Sequence, residues 1–162
     1  MHEETNIRVL IADDDEHILR CYRSAFEKRS AAASEQLIEA MEDELFESGK
    51  RAIAPPMFEL ATCDQGDDAV KNAANAVAEG KPFDVVILDV RMPPGIDGVE
   101  AGSEIRKLDP DVVIIFVTGY SDIARDELEQ RVPPPSKLHY YSKPLSFKGL
   151  AADVAKIARS SS

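Results

Sequence analysis

Phe83-Asp84-Val85-Val86-Ile87-Leu88-Asp89 is an apolar run closed by a carboxylate, and its reading decides the architecture. Side chains on a strand alternate between its two faces. A run apolar at consecutive positions is therefore buried on both, which is the habit of strands in parallel sheets. Asp89 stands where such a strand would break into Val90-Arg91-Met92-Pro93-Pro94-Gly95. Ligands of open α/β sheets bind just outside that carboxyl edge. Asp89 is the residue to explain.

The other strand-like runs also end in reactive side chains. Ile7 to Ala12 leads into Asp13-Asp14-Asp15, Val112 to Val117 into Thr118-Gly119, and Leu138 to Ser142 into Lys143-Pro144. A further run, Met57 to Thr62, supplies the second strand in chain order. Helical patterns fill the gaps, so the order is β-α-β and the sheet is expected to be parallel with right-handed crossovers. In that topology the acids, Thr118 and Lys143 meet at one rim. Crowded carboxylates raise one another's pKa unless a cation lies among them, and a hard divalent ion such as magnesium suits oxygen ligands. A carboxylate can also act as nucleophile towards a phosphoryl group. Lys143 and Thr118 would then bond its oxygens, and Gly119 leaves room beside the backbone. Singly each feature has a plainer reading: Asp13 to Asp15 could simply cap a helix. Together, in this order, they point to phosphoryl chemistry.

This set of motifs resembles the receiver domains of two-component response regulators. The matching residues are Asp13-Asp14, Asp89-Val90-Arg91-Met92-Pro93, Thr118-Gly119 and Tyr140-Tyr141-Ser142-Lys143-Pro144. The resemblance implies a flavodoxin-like, doubly wound five-stranded parallel sheet of order 2-1-3-4-5. It implies Asp89 as phosphoacceptor and Asp13, Asp14, Asp89 and the backbone carbonyl of Arg91 as ligands of Mg2+ or Mn2+. Thr118, Gly119 and Lys143 would bind phosphate, Thr118 and Tyr140 would form the switch pair, and the bond before Pro144 would be cis. The implied partner is a histidine kinase or a phosphotransfer protein. The domain would modify itself without turning over a separate substrate, so it is not expected to be an enzyme.

Two departures from the family pattern stand out. The loop Met92-Pro93-Pro94-Gly95-Ile96-Asp97-Gly98 is one residue longer than the usual one, which predicts a displaced backbone beside Asp89. An insertion of about residues 30–55 extends the first helical segment. Two other readings remain open. In a haloacid-dehalogenase-type phosphohydrolase, Asp13 would be the nucleophile paired with Asp15, but only Asp153 follows Lys143 as a further acid and Asp89 would have no role. In a receiver-like module that dimerises without phosphorylation, stable acyl-phosphate labelling of Asp89 would be absent.

Composition narrows the class. The chain has 162 residues, one domain by length, and a formal net charge of −11 with no basic stripe in sequence, which disfavours nucleic acid as a partner. Cys21 and Cys63 fit no metal or redox spacing and suit a reducing, cytoplasmic setting. No apolar run approaches a membrane span, and Met1 to Thr5 lacks a signal-peptide pattern. His2, His17 and His139 have no partner spacing. The expected receiver covers residues 1–158, with 159–162 a linker or tail and an output domain in the same parent chain. Arg131-Val132-Pro133-Pro134-Pro135 resembles receivers fused into larger sensory proteins.

The insertion supports one more expectation. Ile18, Tyr22, Phe26, Ala33, Leu37, Met41 and Leu45 recur mostly at helical spacings, and no proline intervenes before Pro55. A helix from about Glu16 to Ser48 would run roughly 50 Å, longer than a domain of about 15 Å radius of gyration is deep. Leu37, Ile38, Met41, Leu45 and Phe46 would then either mediate a helical homodimer or fold back after a break near Ser30 to Ser34.

Overall fold

Val85, Val86, Ile87 and Leu88 are each fully buried, because helices cover their strand from both sides. The computed structural model describes residues 6–46, 57–119 and 123–160, with side chains described throughout these except at 33, 34, 36–46 and 160. Five strands alternate with five helices: β1 (Asn6–Ala12), α1 (Glu16–Phe46), β2 (Met57–Cys63), α2 (Gly66–Ala78), β3 (Val85–Asp89), α3 (Gly98–Leu108), β4 (Val113–Thr118), α4 (Arg125–Arg131), β5 (Leu138–Ser142) and α5 (Phe147–Ser160). All pairings are parallel and the sheet order is β2-β1-β3-β4-β5. This is the doubly wound, flavodoxin-like arrangement expected.

Strand alternation divides the interior into two cores. Leu10, Val86, Leu88, Ile114 and Phe116 face Ala73 of α2, Ile105 of α3 and Leu128 of α4. Val9, Ile11, Ile87 and Ile115 face Leu19, Tyr22 and Phe26 of α1, with Leu150 and Val154 of α5. Small residues set the layer spacing. A Cβ on Gly102 would lie 2.7 Å from Phe116, so α3 can lie this close to the sheet only without one. Arg106, 8% exposed, donates to the carbonyls of Val112 and Lys137, tying α3 to the segments that enter β4 and β5.

Boundaries depart slightly from the apolar runs. Phe83 and Asp84 precede β3; the Asp84 carboxylate accepts the Arg8 N–H at 2.9 Å, so these residues turn onto β1 before β3 begins. β4 includes Thr118, and β2 extends to Cys63. α5 runs through Ser160, past the expected boundary at 158; Ser161 and Ser162 lie outside the described residues.

α1 starts where the Asp15 carboxylate accepts the His17 N–H at 2.9 Å, an N-cap bond. It then continues unbroken through Phe46, so the expected break near Ser30 to Ser34 is absent. Alanine at 31, 32 and 33 favours continuation. The Ser30 hydroxyl accepts the Phe58 N–H at 3.2 Å, which sets Ser30 level with the start of β2 and hence with the amino edge of the sheet. The expected end at Ser48 lies outside the described residues, as do the side chains of Leu37, Ile38, Met41, Leu45 and Phe46. No described helix is long and apolar enough to cross a membrane.

Candidate functional site

The carboxyl ends of β1, β3, β4 and β5 meet at one rim, and the backbone fixes their mutual positions. Asp13, one residue beyond β1, is 2% exposed, and its N–H donates to the Cys63 carbonyl at 3.2 Å. Its carboxylate accepts the Asp15 N–H at 2.9 Å. Asp89 closes β3 and is 5% exposed, with one oxygen 3.3 Å from the Arg91 N–H and the other 3.1 Å from Lys143 Nζ. Asp14 is exposed beside them. The Lys143 N–H donates to the Thr118 carbonyl at 2.9 Å, which locks the end of β5 against the end of β4. The peptide between Lys143 and Pro144 is cis.

Asp13, Asp14 and Asp89 each offer an oxygen within 4.8 Å of the others. Octahedral magnesium at about 2.1 Å from each ligand needs oxygens roughly 3 to 4.2 Å apart. The triad lies within reach of one such ion, and its all-oxygen character suits a hard cation.

Electrostatics agree with that fit. Burial pushes the Asp13 carboxyl up to about 6, the Asp15 N–H opposes this, and the Asp89 charge adds to it. Burial also raises Asp89, against the hydrogen bond and charge of Lys143. For Lys143 burial acts downward, but the bond to Asp89 and the three acidic charges outweigh it and leave the ammonium raised. Without a cation this is a site where ionised acids are held at a cost.

Beneath the acids lies Tyr22, a residue the helical pattern marks only as core. It is 2% exposed and packs edge-on against Phe147 with ring centroids 4.9 Å apart. Burial, then Asp13 and Asp89, raise its pKa, so it remains a neutral floor for a cleft of about 400 Å³ bounded by Asp13 to Asp15 and Lys143.

The long loop after β3 is tied to the sheet beside Asp89. Val90 N–H bonds the Val117 carbonyl at 3.1 Å and Met92 is buried at 1% exposure. Gly98 N–H returns to the Val90 carbonyl at 2.8 Å, and a Cβ on Gly98 would lie 2.0 Å from the Asp89 carbonyl. Only glycine permits that approach. Further along the loop Gln65 accepts the Gly95 N–H at 3.3 Å and donates to the Pro93 carbonyl at 3.4 Å. These bonds hold the outer side of the loop against the start of α2. Asp97 caps α3 by accepting the Glu100 N–H at 2.7 Å.

Thr118 and Gly119 are half-buried at the end of β4. The Thr118 hydroxyl has no hydrogen-bond partner among the described residues. Tyr140 packs on the α3 and α4 side of the sheet, with the Arg125 guanidinium 4.8 Å from its ring centre. It lies two residues before Ser142, the register partner of Thr118. The sequence-derived residues thus separate into a tight group (Asp13, Asp14, Asp89, Lys143), an adjacent pair (Thr118, Gly119) and one aromatic on the flank (Tyr140). Sequence reasoning did not find Tyr22, Gln65 or the close approach at Gly98. Of these only Gly98, as the glycine that starts α3 behind an aspartate, carried a local signal.

Comparison with known proteins agrees with the geometry. The family model described as "Response regulator receiver domain" matches residues 42–151. That range omits β1 and Asp13-Asp14, which the inserted length of α1 separates from the rest in sequence but not in space. A "Sensor kinase CckA" from Brucella abortus (strain 2308) is 32% identical over 128 residues, 79% of this chain and 13% of that protein. The chain thus spans only about an eighth of that relative's length. A CheY-like response regulator receiver domain protein from Methanospirillum hungatei JF-1 superposes with TM-score 0.66 at 19% identity, covering 96% of each chain. Response regulator protein TrrA from Thermotoga maritima, solved in complex with Mg(2+)-BeF, is 28% identical with TM-score 0.54, covering 93% of this chain and 98% of TrrA.

Proposed function

The chain belongs to the response regulator receiver domain family of two-component systems, and from that premise we propose that Asp89 is its phosphoacceptor. The observation that carries this is the buried Asp89 carboxylate, 3.1 Å from the Lys143 ammonium and within one cluster with Asp13 and Asp14. A histidine kinase or phosphotransfer protein brings a phosphohistidine to the rim. An Asp89 oxygen attacks phosphorus, the P–N bond breaks, and the imidazole leaves with the electron pair of that bond. Asp13, Asp14, Asp89 and the Arg91 carbonyl would hold a magnesium or manganese ion, whose charge offsets that of the phosphoryl oxygens. Lys143 balances a further phosphoryl oxygen, while the Thr118 hydroxyl and the space beside Gly119 receive another. The magnesium carried by TrrA supports this choice of ion.

The domain turns over no separate substrate. Its product is its own altered surface, read through Thr118 and Tyr140. We assign the receiver to residues 1–160, through the end of α5, in the cytoplasm where a kinase can reach it. We also place it within a larger parent chain, in keeping with its match to a small part of a sensor kinase.

The test is intact-mass analysis after incubation with magnesium and a small acyl-phosphate. Wild type gains one phosphoryl group; Asp89→Asn gains none; Asp14→Asn folds but loses metal-dependent uptake. Equal labelling of wild type and Asp89→Asn would sink the assignment.

A further inference from the structure

The charges of α1 fall into two blocks. From Glu16 to Ser30 it carries Arg20, Arg23, Lys28 and Arg29 against Glu16 and Glu27. From Glu35 to Phe46 it carries Glu35, Glu39, Glu42, Asp43 and Glu44 and no base. An isolated helix is poorly served by the second block. Acids four residues apart, as Glu35 with Glu39 and Glu39 with Asp43, repel one another. This segment also lies past the sheet. Ser30 is level with the amino edge, and residues 31–46 carry the helix about 24 Å further at 1.5 Å per residue.

A complementary surface exists on the same chain. α1 and α5 bound a groove of about 840 Å³ whose lining contains no acid. Arg20, Lys28 and Arg29 line it from α1 and Lys148 from α5, all four exposed. None of them makes an ion pair among the described residues. Between these cations the groove offers the half-buried Cys21, Ala25 and Phe147. On a chain of net charge −11, four unpaired cations in one apolar trough form a feature that the linear sequence does not display.

We infer that this protein forms an antiparallel dimer in which residues 35–46 of each α1 lie in the α1–α5 groove of the other copy. Spacing selects the register. Glu35 and Asp43 are eight residues apart, as are Lys28 and Arg20, so antiparallel helices set position 35 beside 28 and position 43 beside 20. Position 39 then falls across from Ser24, on the stretch that Lys148 flanks from α5. The two-fold axis passes between Ala31 and Ala32, where small side chains let the helices approach closely. The contact is isologous and is made twice. The pairing is therefore segment against groove rather than stripe against stripe. It does not depend on phosphorylation.

Charge reversal on each side tests this. Sedimentation of the wild type should give twice the 17.8 kDa of one chain, with dissociation promoted by salt. R20E/K28E should sediment as a monomer, and so should E35K/D43K. An equimolar mixture of the two should recover the dimer, because each altered segment meets an oppositely altered groove. Circular dichroism melts of both variants exclude misfolding as the cause of a monomer. A monomeric wild type at high concentration, a dimeric R20E/K28E, or a mixture that stays monomeric would each overturn the proposal.

Discussion

Replacing Asp13 by Asn should stabilise the metal-free protein, although it removes a buried charged group from the centre of the site. Burial holds the Asp13 carboxyl at about 6 against an ordinary value of 3.8. Between those values the folded state keeps a proton that the unfolded chain has released, so stability falls as pH rises through this window and stays reduced above it. The full difference corresponds to about 3 kcal/mol at pH 7.5. Asn retains an acceptor for the Asp15 N–H but loses the charge that strengthens that bond, at a cost of about 1 kcal/mol. The net gain is about 1–2 kcal/mol, or roughly 3–6 °C in melting temperature for a domain of this size. Thermal melts in EDTA from pH 4.5 to 8 measure it. The gain should be largest above pH 7 and should vanish near pH 4.5, close to the unfolded value of 3.8, where the pH-dependent cost has fallen to the roughly 1 kcal/mol of the Asp15 bond. Adding magnesium should reverse the order, because only wild type keeps the full ligand set and binding adds to its stability. An Asp13→Asn protein that is less stable than wild type at pH 7.5 in EDTA would refute the reasoning.

Removing the cation should act in the opposite direction. Lys143→Met leaves Asp89 buried without its partner; discounted for the 42% exposure of the lysine side chain, the expected loss is about 1–3 kcal/mol in urea melts at pH 7.5, shrinking as pH falls. An unchanged midpoint would mean that the pair contributes nothing to the fold. Gly98→Ala brings a methyl to within 2.0 Å of the Asp89 carbonyl, so α3 and the end of β3 must separate. We expect a loss of about 3 kcal/mol or more, together with slower phosphoryl uptake; a variant matching wild type in both would show that the approach is not obligatory. Thr118→Ala should still accept a phosphoryl group but should lose the accompanying amide shifts around Tyr140 and α4, and shifts identical to wild type would remove Thr118 from the relay.

Fold class was legible because β3 is covered on both faces: the run Val85 to Leu88 could not alternate, and an unbroken apolar strand allows few other architectures. Strand ends were legible for a related reason. Asp13, Asp89 and Thr118 are polar residues placed abruptly after apolar ones, Lys143 follows the strand run 138–142, and a parallel sheet brings such ends together whatever their separation in sequence. Tyr22 was hidden because a residue at helical spacing looks the same whether it packs under a leucine or under two carboxylates. Gln65 was hidden because its partners, Pro93 and Gly95, are about thirty positions away and no local pattern marks the contact. The groove cations were overlooked because they alternate in sequence with Glu16, Cys21 and Glu27; the 3.6-residue turn separates them from the acids, and Lys148 joins them only through packing of α5 on α1.

Charge at the rim also limits where a signal can go. Three carboxylates against Lys143 leave two negative charges in excess, which a divalent cation cancels. Converting Asp89 to an acyl phosphate of about −1.5 to −2 restores part of that excess, on oxygens further out from β3. Lys143 is already bonded to Asp89 and follows only by giving up that contact. The Thr118 hydroxyl can supply a new donor without breaking a bond. A hydrogen bond to a charged group contributes about 1.5–3 kcal/mol. That is comparable to the burial of one leucine, and Leu128 is the single residue that α4 buries. α3 buries six residues and is further tied by Arg106 and the Gly98 contact. α4 is held by Leu128 and by Arg125 over the Tyr140 ring, on the strand whose end Thr118 adjoins. One new bond at Thr118 is therefore enough to reset α4 and too little to reset α3, which is why the proposed switch should be read on the face of α4 and β5.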